Sequence, residues 1–255
     1  MTESLVRRNQ ERGVATLTLD SPANRNALSS KLVAELAEGL EWAAAEPAVR
    51  AVVLTHTGSV FCAGADLTEA TSGDPASGPR HLVRLMRSII ELPKPVLARV
   101  DGHARAGGLG LIGACDLAVA GPAATFAFTE VKLGLAAAVI SLPLLPRLDP
   151  RGASAWFLTG ATFDAREAQR IGLITRAVDD VEAGAEEFLA ALRAASPQGL
   201  AETKRLVTAE VLRSFGAQTE AMVGTSTRLF ASPDAQEGMR AFLERRPPSW
   251  AVDPA

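Results

Sequence analysis

The chain has 255 residues, of which 47% are hydrophobic and 22% are charged, a balance typical of folded globular proteins that excludes a disordered or fibrous chain. Its formal net charge of −3 at pH 7 argues against a general nucleic-acid-binding surface, because such surfaces are basic. The two cysteines, Cys62 and Cys115, lack C-x-x-C spacing and a histidine at ligand spacing, so we expect buried, reduced thiols and no metal site.

No segment has the pattern of a secretion signal or a membrane span. The N-terminal residues lack an apolar core, and the most apolar segment, residues 133–148, is interrupted by Pro143, Pro146 and Arg147. A membrane-spanning helix needs about 18 or more uninterrupted apolar residues. We therefore expect no contact with a membrane and a cytoplasmic location.

Strand-like and helical patterns alternate along the chain. Short runs that are apolar, or that alternate with period two, predict strands at residues 14–19, 51–54, 95–100 and 117–120. Three-to-four spacing of apolar residues predicts helices at 30–46, 81–92 and 153–158, a helix-strand unit at 165–178 and a helical tail from residue 181. Since strands and helices alternate, the predicted fold class is α/β with a mainly parallel core.

Two loops in the first third of the chain carry special residues. Gly64 marks a sharp turn, and Asp66 is placed to cap a helix start, which leaves the amides of residues 63–65 free to meet an anion or a carbonyl oxygen. Residues 71–79, with the sequence TSGDPASGP, predict a mobile surface loop that could act as a flap.

A glycine-rich stretch, DGHARAGGLGLIGACD at residues 101–116, lies between two predicted strands. Gly108, Gly110 and Gly113 form a G-x-G-x-x-G pattern, and Glu130 follows at about the distance of a dinucleotide-binding acid. However, only two residues separate Gly113 from Asp116, so there is no room for the long helix that this fingerprint should open. The paired glycines instead predict a place where backbone amides approach a ligand closely.

Six segments in order resemble the crotonase, or enoyl-CoA hydratase/isomerase, superfamily over nearly the whole chain. They are PANRNAL at 22–28, FCAGADL at 61–67, the stretch 93–116, EVKLG at 130–134, FDAREAQRIG at 163–172 and the tail at 230–250. The segment after Glu130 is similar to that of relatives that hydrate methylglutaconyl-type CoA esters.

The resemblance implies a fold and an assembly. It implies a crotonase-like spiral of ββα repeats over residues 1–196 and a C-terminal helical region over 197–255 that serves trimerisation and CoA contacts. The expected assembly is a homotrimer or a dimer of trimers. The expected substrate is an acyl-CoA thioester, with no further cofactor, no metal and no nucleic-acid or membrane partner.

The resemblance also assigns site residues. It implies that the amides of Ala65 and Gly107 form an oxyanion hole, which would stabilise the charge on a thioester enolate, and that Glu130 is the catalytic acid and base. The residues expected to contact the acyl-CoA, the last two of them often across a subunit boundary, are Arg25, Ala63, Asp66, Leu67, Gly108, Phe242 and Arg245.

The sequence departs from the family at one catalytic position. Hydratases of the family typically use two glutamates, and the first falls on Gly110. Three reactions remain open: hydration with Glu130 acting alone, which we favour, double-bond isomerisation, and another enolate reaction such as decarboxylation or carbon–carbon cleavage. A non-catalytic acyl-CoA binder is the alternative from another class.

Other residues are weaker candidates for the missing acid. We expect His103 to be structural, Asp116 to cap or pair, and Glu69 to be solvated, and the absence of tyrosine excludes a phenol donor. If position 110 left an open vacancy, Gly110→Glu would add hydration of simple enoyl-CoAs. A remodelled pocket would prevent this gain.

Overall fold

The computed structural model describes residues 4–70 and 76–252. The strands in this part of the chain are β1 Val6–Glu11, β2 Val14–Leu19, β3 Ala51–His56, β4 Val60–Cys62, β5 Val96–Val100, β6 His103–Arg105, β7 Leu117–Ala120, β8 Thr125–Ala127, β9 Phe163–Asp164 and β10 Arg176–Ala177. The α-helices are α1 Ser30–Ala45, α2 Leu67–Ala70, α3 Ser77–Glu91, α4 Gly107–Ala114, α5 Ala138–Leu144, α6 Pro150–Thr159, α7 Ala165–Arg170, α8 Val181–Ala194, α9 Pro197–Phe230 and α10 Pro233–Leu243. Residues 4–70 and 76–252 also contain two 3-10 turns, Pro22–Asn24 and Thr129–Leu133.

The larger sheet has six strands in the order β1-β2-β3-β5-β7-β10. The hairpin β1-β2 is antiparallel, and every other pair in this sheet is parallel. All residues of β3 except His56 are buried, as expected of a strand covered on both faces. The prediction of an α/β fold with a mainly parallel core is confirmed.

The smaller sheet, β4-β6-β8-β9, and the first strand were not predicted from the sequence. Strands β4, β6, β8 and β9 have two or three residues each, too few to show a periodic pattern. Strand β1 reads VRRNQE and is exposed after Val6, so it lacks apolar alternation. Residues 71–75 of the predicted flap lie outside the described residues, and residues 77–79 form the first turn of α3 rather than a loop.

Side-chain caps fix where several helices begin. Ser29 accepts a hydrogen bond from the Leu32 amide at 3.2 Å at the start of α1, and Ser196 accepts one from the Gly199 amide at 3.4 Å before Pro197. A serine at the cap satisfies an amide that lacks a partner within the helix. Helix α1 therefore starts where the sequence pattern predicts it, and α9 begins within the predicted helical tail.

The long helix α9 packs against α3 and α5. Its side chains Val211, Phe215 and Val223 belong to the same buried cluster as the strands of the larger sheet. The helical tail is thus built into the main core. Within the described residues, no helix is long and apolar enough to cross a membrane.

A buried ion pair joins α9 to the strand edge beside α4. The Lys204 ammonium lies 2.7 Å from Asp116 Oδ2, with side-chain exposures of 5% and 11%. It also donates to the carbonyl oxygens of Ile89 and Lys94 at 2.8 and 3.1 Å, while the Val96 amide donates to Asp116 Oδ2 at 2.7 Å. Burial raises the pKa of Asp116, because desolvation of the carboxylate outweighs its attraction to Lys204.

We expect Lys204→Met to lower the free energy of unfolding by about 3–5 kcal/mol, because it removes the ammonium group that pairs directly with the buried Asp116 carboxylate. The measurement is urea denaturation. Arg205→Met is the matched control on the same helix: it removes an exposed pair with Glu202, worth less than about 1 kcal/mol. Equal losses in the two variants would contradict the importance of the buried pair.

Candidate active site

The loop at residues 22–28 and the loop at 61–67 run side by side. The Ala63 amide donates to the Arg25 carbonyl oxygen at 3.1 Å, and the Leu28 amide donates to the Gly64 carbonyl oxygen at 2.8 Å. Leu28 and Ala65 form an isolated parallel bridge. Four residues that the sequence assigns to the early loop and the first oxyanion loop are therefore held together by backbone hydrogen bonds.

Asn26 anchors the early loop, and the sequence analysis missed it. Its side chain is fully buried, accepts from the Ser21 amide at 2.7 Å, and donates to the carbonyl oxygens of Thr57 and Val60 at 3.1 and 2.7 Å. Asn26 has φ +53°, and the preceding Arg25 has φ +59°. Asparagine adopts this left-handed region more readily than most residues. The asparagine in PANRNAL was therefore the feature of the sequence that could have indicated this turn.

The first and second glycine-containing loops meet at Gly64 and Gly107. A Cβ added to Gly64 would stand 2.9 Å from the Ala106 Cβ and 3.4 Å from the Gly107 nitrogen. Gly64 has φ +91°, and Ala106, just before α4, has φ +45°. The close approach of the two backbones thus depends on a glycine at 64 and on an unusual conformation at 106.

Two backbone amides at this junction lack acceptors. Within residues 4–70 and 76–252, neither the Ala65 amide nor the Gly107 amide donates a hydrogen bond to another protein group, and no side chain caps α4. Gly107 is buried, whereas Ala65 is exposed. A buried helix start without a cap leaves donors that a ligand can satisfy, and the positive end of the helix dipole favours negative charge there.

Glu130 lies on the 3-10 turn Thr129–Leu133, which ends at Gly134 in the left-handed conformation. The residue as a whole is partly exposed, but its Oε2 atom is sealed from solvent and has no hydrogen-bond partner among the described residues. Burial raises the pKa of Glu130 to about 7. A carboxyl group with a pKa near neutrality can both accept and deliver a proton.

The turn that carries Glu130 is tied to α4 and α10. It leads into α5, which packs against α4, while α10 packs directly on the turn. A Cβ on Gly238 of α10 would lie 2.6 Å from the Leu133 backbone, and one on Gly134 would lie 2.6 Å from the Asp234 backbone. Glycines at both places therefore permit the close contact that fixes the turn.

Position 110 is filled by its neighbours. A Cβ on Gly110 would stand 2.6 Å from Ile140 Cγ2 and 2.9 Å from Met86 Sδ. Gly110, Ile140 and Met86 are all buried. Of the two possibilities left open for position 110, the structure shows the remodelled pocket, because the Ile140 and Met86 side chains already occupy the space that a longer residue would enter.

The remaining residues assigned to acyl-CoA contacts lie in two places. Asp66 accepts from the Thr68 amide at 3.0 Å and so caps α2, which begins at Leu67. Gly108 packs on Cys62: a Cβ there would be 2.8 Å from the Cys62 carbonyl oxygen. Phe242, 51% exposed, and the exposed Arg245 instead lie on the surface at the end of α10.

The weaker acid candidates have structural roles. His103 is exposed and its Nδ1 lies 2.9 Å from Thr125 Oγ1. Glu69 is exposed and accepts from the Ser30 amide at 2.8 Å, so it also caps α1. Asp116 pairs with Lys204.

Both thiols are free and buried, and burial raises the pKa of Cys62 and of Cys115 to about 12.

Two cavities lie away from the candidate residues. A cleft of about 500 Å³ is lined by charged groups at the ends of β3 and β5 and the start of α8, including Arg99, Asp101 and Glu182. A cavity of about 130 Å³ lies beside Asp116 and Arg147. Neither is lined by Ala65, Gly107 or Glu130, so we assign the site by the unpaired amides and the buried carboxyl group rather than by cavity volume.

We expect Gly64→Ala to destabilise the protein, because it forces an L side chain to φ +91° and against the Ala106 Cβ. The backbone strain alone is worth about 1–3 kcal/mol. Gly216→Ala is the matched control, since a Cβ there meets nothing within 4 Å inside α9, and it should stabilise by up to about 1 kcal/mol. The measurement is chemical denaturation of both variants. A loss of stability in Gly64→Ala but not in Gly216→Ala would show that position 64 requires glycine.

The raised pKa of Glu130 predicts a pH-dependent stability. Below about pH 4.5 the group is protonated in folded and unfolded states alike, and between 4.5 and 7 only the folded state keeps its proton. The stability that this group contributes at low pH is therefore lost as the pH rises through 7, by about 3 kcal/mol relative to Glu130→Gln, which cannot ionise. The measurement is the free energy of unfolding of both proteins from pH 4 to pH 8; a constant difference would contradict it.

Comparison with known proteins assigns the family. Residues 9–253 match the family model described as enoyl-CoA hydratase/isomerase. The crystal structure of an enoyl-CoA hydratase from Mycobacterium avium is 50% identical, has a TM-score of 0.92, and covers 98% of this chain and 100% of its own. Carnitinyl-CoA hydratase from the same species is 31% identical with a TM-score of 0.87, and covers 98% and 99%. Mevalonyl-coenzyme A hydratase sidH of Aspergillus fumigatus is 35% identical over 93% of this chain and 91% of its own. The chain belongs to the enoyl-CoA hydratase/isomerase family, the crotonase superfamily.

Proposed function

We propose that the protein is a hydratase that adds water across the α,β double bond of an acyl-CoA thioester. The observation that carries the proposal is the buried Gly107 amide at the start of α4, beside the loop of Ala65, which donates to no group in the part of the chain that the structure describes. In the proposed site these two amides donate to the thioester oxygen and stabilise the negative charge it acquires in the enolate. Membership of the family supports this assignment.

Glu130 supplies the proton transfers in this proposal. As a carboxylate it accepts a proton from water while the water oxygen bonds to the β-carbon and the π electrons move toward the α-carbon and the thioester oxygen. The protonated Glu130 then delivers that proton to the α-carbon, so one water is added and nothing leaves. A single carboxyl group suffices when both transfers occur on one face of the substrate, and its pKa near 7 suits both steps.

Isomerisation is the second candidate reaction. The filled position at 110 favours it as much as it favours hydration by Glu130 alone. Glu130 would remove a proton from the α-carbon of a 3-enoyl-CoA and return it to the γ-carbon, with the same amides stabilising the intermediate enolate. This reaction needs no second acid, and Gly110 offers none. Two named relatives, a mevalonyl-CoA hydratase and a carnitinyl-CoA hydratase, support hydration of a substituted acyl group as the first choice.

The proposed substrate contacts extend over two subunits. Ala63, Asp66 and Leu67 would hold the CoA ester through main-chain contacts, with Arg25 on the early loop and Gly108 at the close turn beside Gly107. Phe242 and Arg245, which are exposed in the single chain, would contact the nucleotide end of CoA bound to a neighbouring subunit. We further propose a homotrimer or a dimer of trimers, with residues 197–255 in the subunit contacts, a cytoplasmic location and no cofactor besides the CoA of the substrate.

A substrate panel separates the reactions. The protein is mixed with crotonyl-CoA, a 3-enoyl-CoA and a methylglutaconyl-type CoA ester, and the conjugated-thioester absorbance and product mass are followed. We expect a mass gain of one water with the branched ester. A shifted bond without a mass change would favour isomerisation, loss of carbon dioxide would favour decarboxylation, shorter acyl products would favour carbon–carbon cleavage, and binding without turnover would favour a non-catalytic binder.

We expect Glu130→Gln to lower turnover by about 10²-fold or more while CoA-ester binding persists, because the amide cannot accept the proton of water. The wild-type kcat/KM should rise as the pH passes through about 7, where Glu130 ionises. Glu187→Gln, a change at an exposed carboxylate on α8 that pairs with Arg176, is the control and should leave turnover unaltered. Unaltered turnover in Glu130→Gln would remove this residue from the mechanism.

A further inference from the structure

Two glycines leave a groove on one face of α4, and side chains of α3 pack into this groove. Gly107 and Gly110 are three residues apart and so lie on neighbouring positions of the helix surface. A Cβ on Gly107 would be 3.3 Å from Leu82 Cδ2, and one on Gly110 would be 2.9 Å from Met86 Sδ. Leu82 and Met86 are four residues apart on α3. The groove therefore continues from the unpaired Gly107 amide, by one helical turn, to position 110.

Ile140 closes the groove at position 110. Its Cγ2 and Cβ atoms would lie 2.6 and 3.1 Å from a Cβ on Gly110, and its side chain is buried. Ile140 is on α5, the helix that follows the turn carrying Glu130. Distances this short leave no room for a side chain of any length unless Ile140 moves, whereas the Met86 thioether is at the end of a flexible chain and can shift.

We infer that Ile140, backed by Met86, is the residue that excludes a second carboxyl group from the site and so restricts this protein to chemistry with one carboxyl group. The inference rests on the proposed function for its chemical part. Its steric part stands on the packing alone. Ile140 is here a specificity-determining residue, because it fills position 110, one helical turn from the Gly107 amide, and transfers no proton itself.

The consequence is that Gly110→Glu fails alone and works only when Ile140 is shortened. In the single variant the new side chain overlaps Ile140 Cγ2. In Gly110→Glu with Ile140→Ala, the overlapping Cγ2 atom is absent and the closest remaining contact of Ile140 is its Cβ at 3.1 Å, which a shift of a few tenths of an ångström relieves. The carboxyl group can then lie in the groove one turn from Gly107.

The steric part is tested by thermal unfolding of six proteins: wild type, Ile140→Ala and Ile171→Ala, each with and without Gly110→Glu. We expect Gly110→Glu to cause a smaller loss of Tm in the Ile140→Ala background than in the wild type. Ile171→Ala is the matched control background, because Ile171 is equally buried and its Cγ2 lies 2.5 Å from a Cβ on a different glycine, Gly152. Equal losses in all three backgrounds would overturn the inference.

The chemical part is tested with crotonyl-CoA as the substrate. We expect its hydration by the double variant of Gly110 and Ile140 to exceed that by Gly110→Glu and by Ile140→Ala by about tenfold or more, since a positioned acid or base contributes about 10²–10⁴-fold. A folded double variant that hydrates crotonyl-CoA no faster than Ile140→Ala would overturn the inference, as would an equal gain in Gly110→Glu alone. Failure of the proposed function is read separately, from wild type on the substrate panel, because the Tm comparison does not depend on any turnover.

Discussion

The site depends on the contact between two backbones at Gly64 and Gly107. A Cβ on Gly64 would collide with Ala106, and one on Gly107 would lie 2.8 Å from Leu28 Cδ1. Because these collisions are avoided, the loop ending at Ala65 reaches the uncapped start of α4. The loop of Ala65 and the start of α4 come from distant parts of the sequence and meet at this contact. In the proposed site the amides of Ala65 and Gly107 would act as preorganised donors to a developing oxyanion, and no protein group would have to reorganise when the charge appears.

Interactions remote from these amides hold the two loops in place. The buried Asn26 amide satisfies three backbone groups of the surrounding loops, and so compensates for the left-handed backbone at residues 25 and 26. On the other side of α4, Asp116 receives the Val96 amide and the Lys204 ammonium. The long helix α9 is thereby joined to the strands on either side of the glycine-rich stretch. The contacts that stabilise the fold around α4 are consequently the same contacts that hold the loops of the candidate site in position.

The sequence predicted the elements whose patterns are strong and missed those whose patterns are short. Residues 14–19 and 117–120 were predicted within one residue of their observed bounds, because alternation or a continuous apolar run identifies a buried strand. The small sheet escaped detection because its strands have two or three residues. The packing of Ile140 against Gly110 could not be predicted either, since 30 residues separate them and only the chain path brings them together. The family resemblance named candidate donors, but backbone amides leave no side-chain signature.

In the proposed site, the filled position at 110 would also change the electrostatics of Glu130. Burial alone already raises the pKa of Glu130 to about 7. A second carboxylate nearby would raise one of the two pKa values further, because like charges disfavour joint ionisation. With aliphatic side chains at that place, Glu130 would titrate as a single group, and its ionised form would face only the cost of desolvation. By keeping a second carboxyl group away, Ile140 would then allow Glu130 to act first as a base and then as an acid near neutral pH. Two closely coupled carboxyl groups would do this only by sharing one proton.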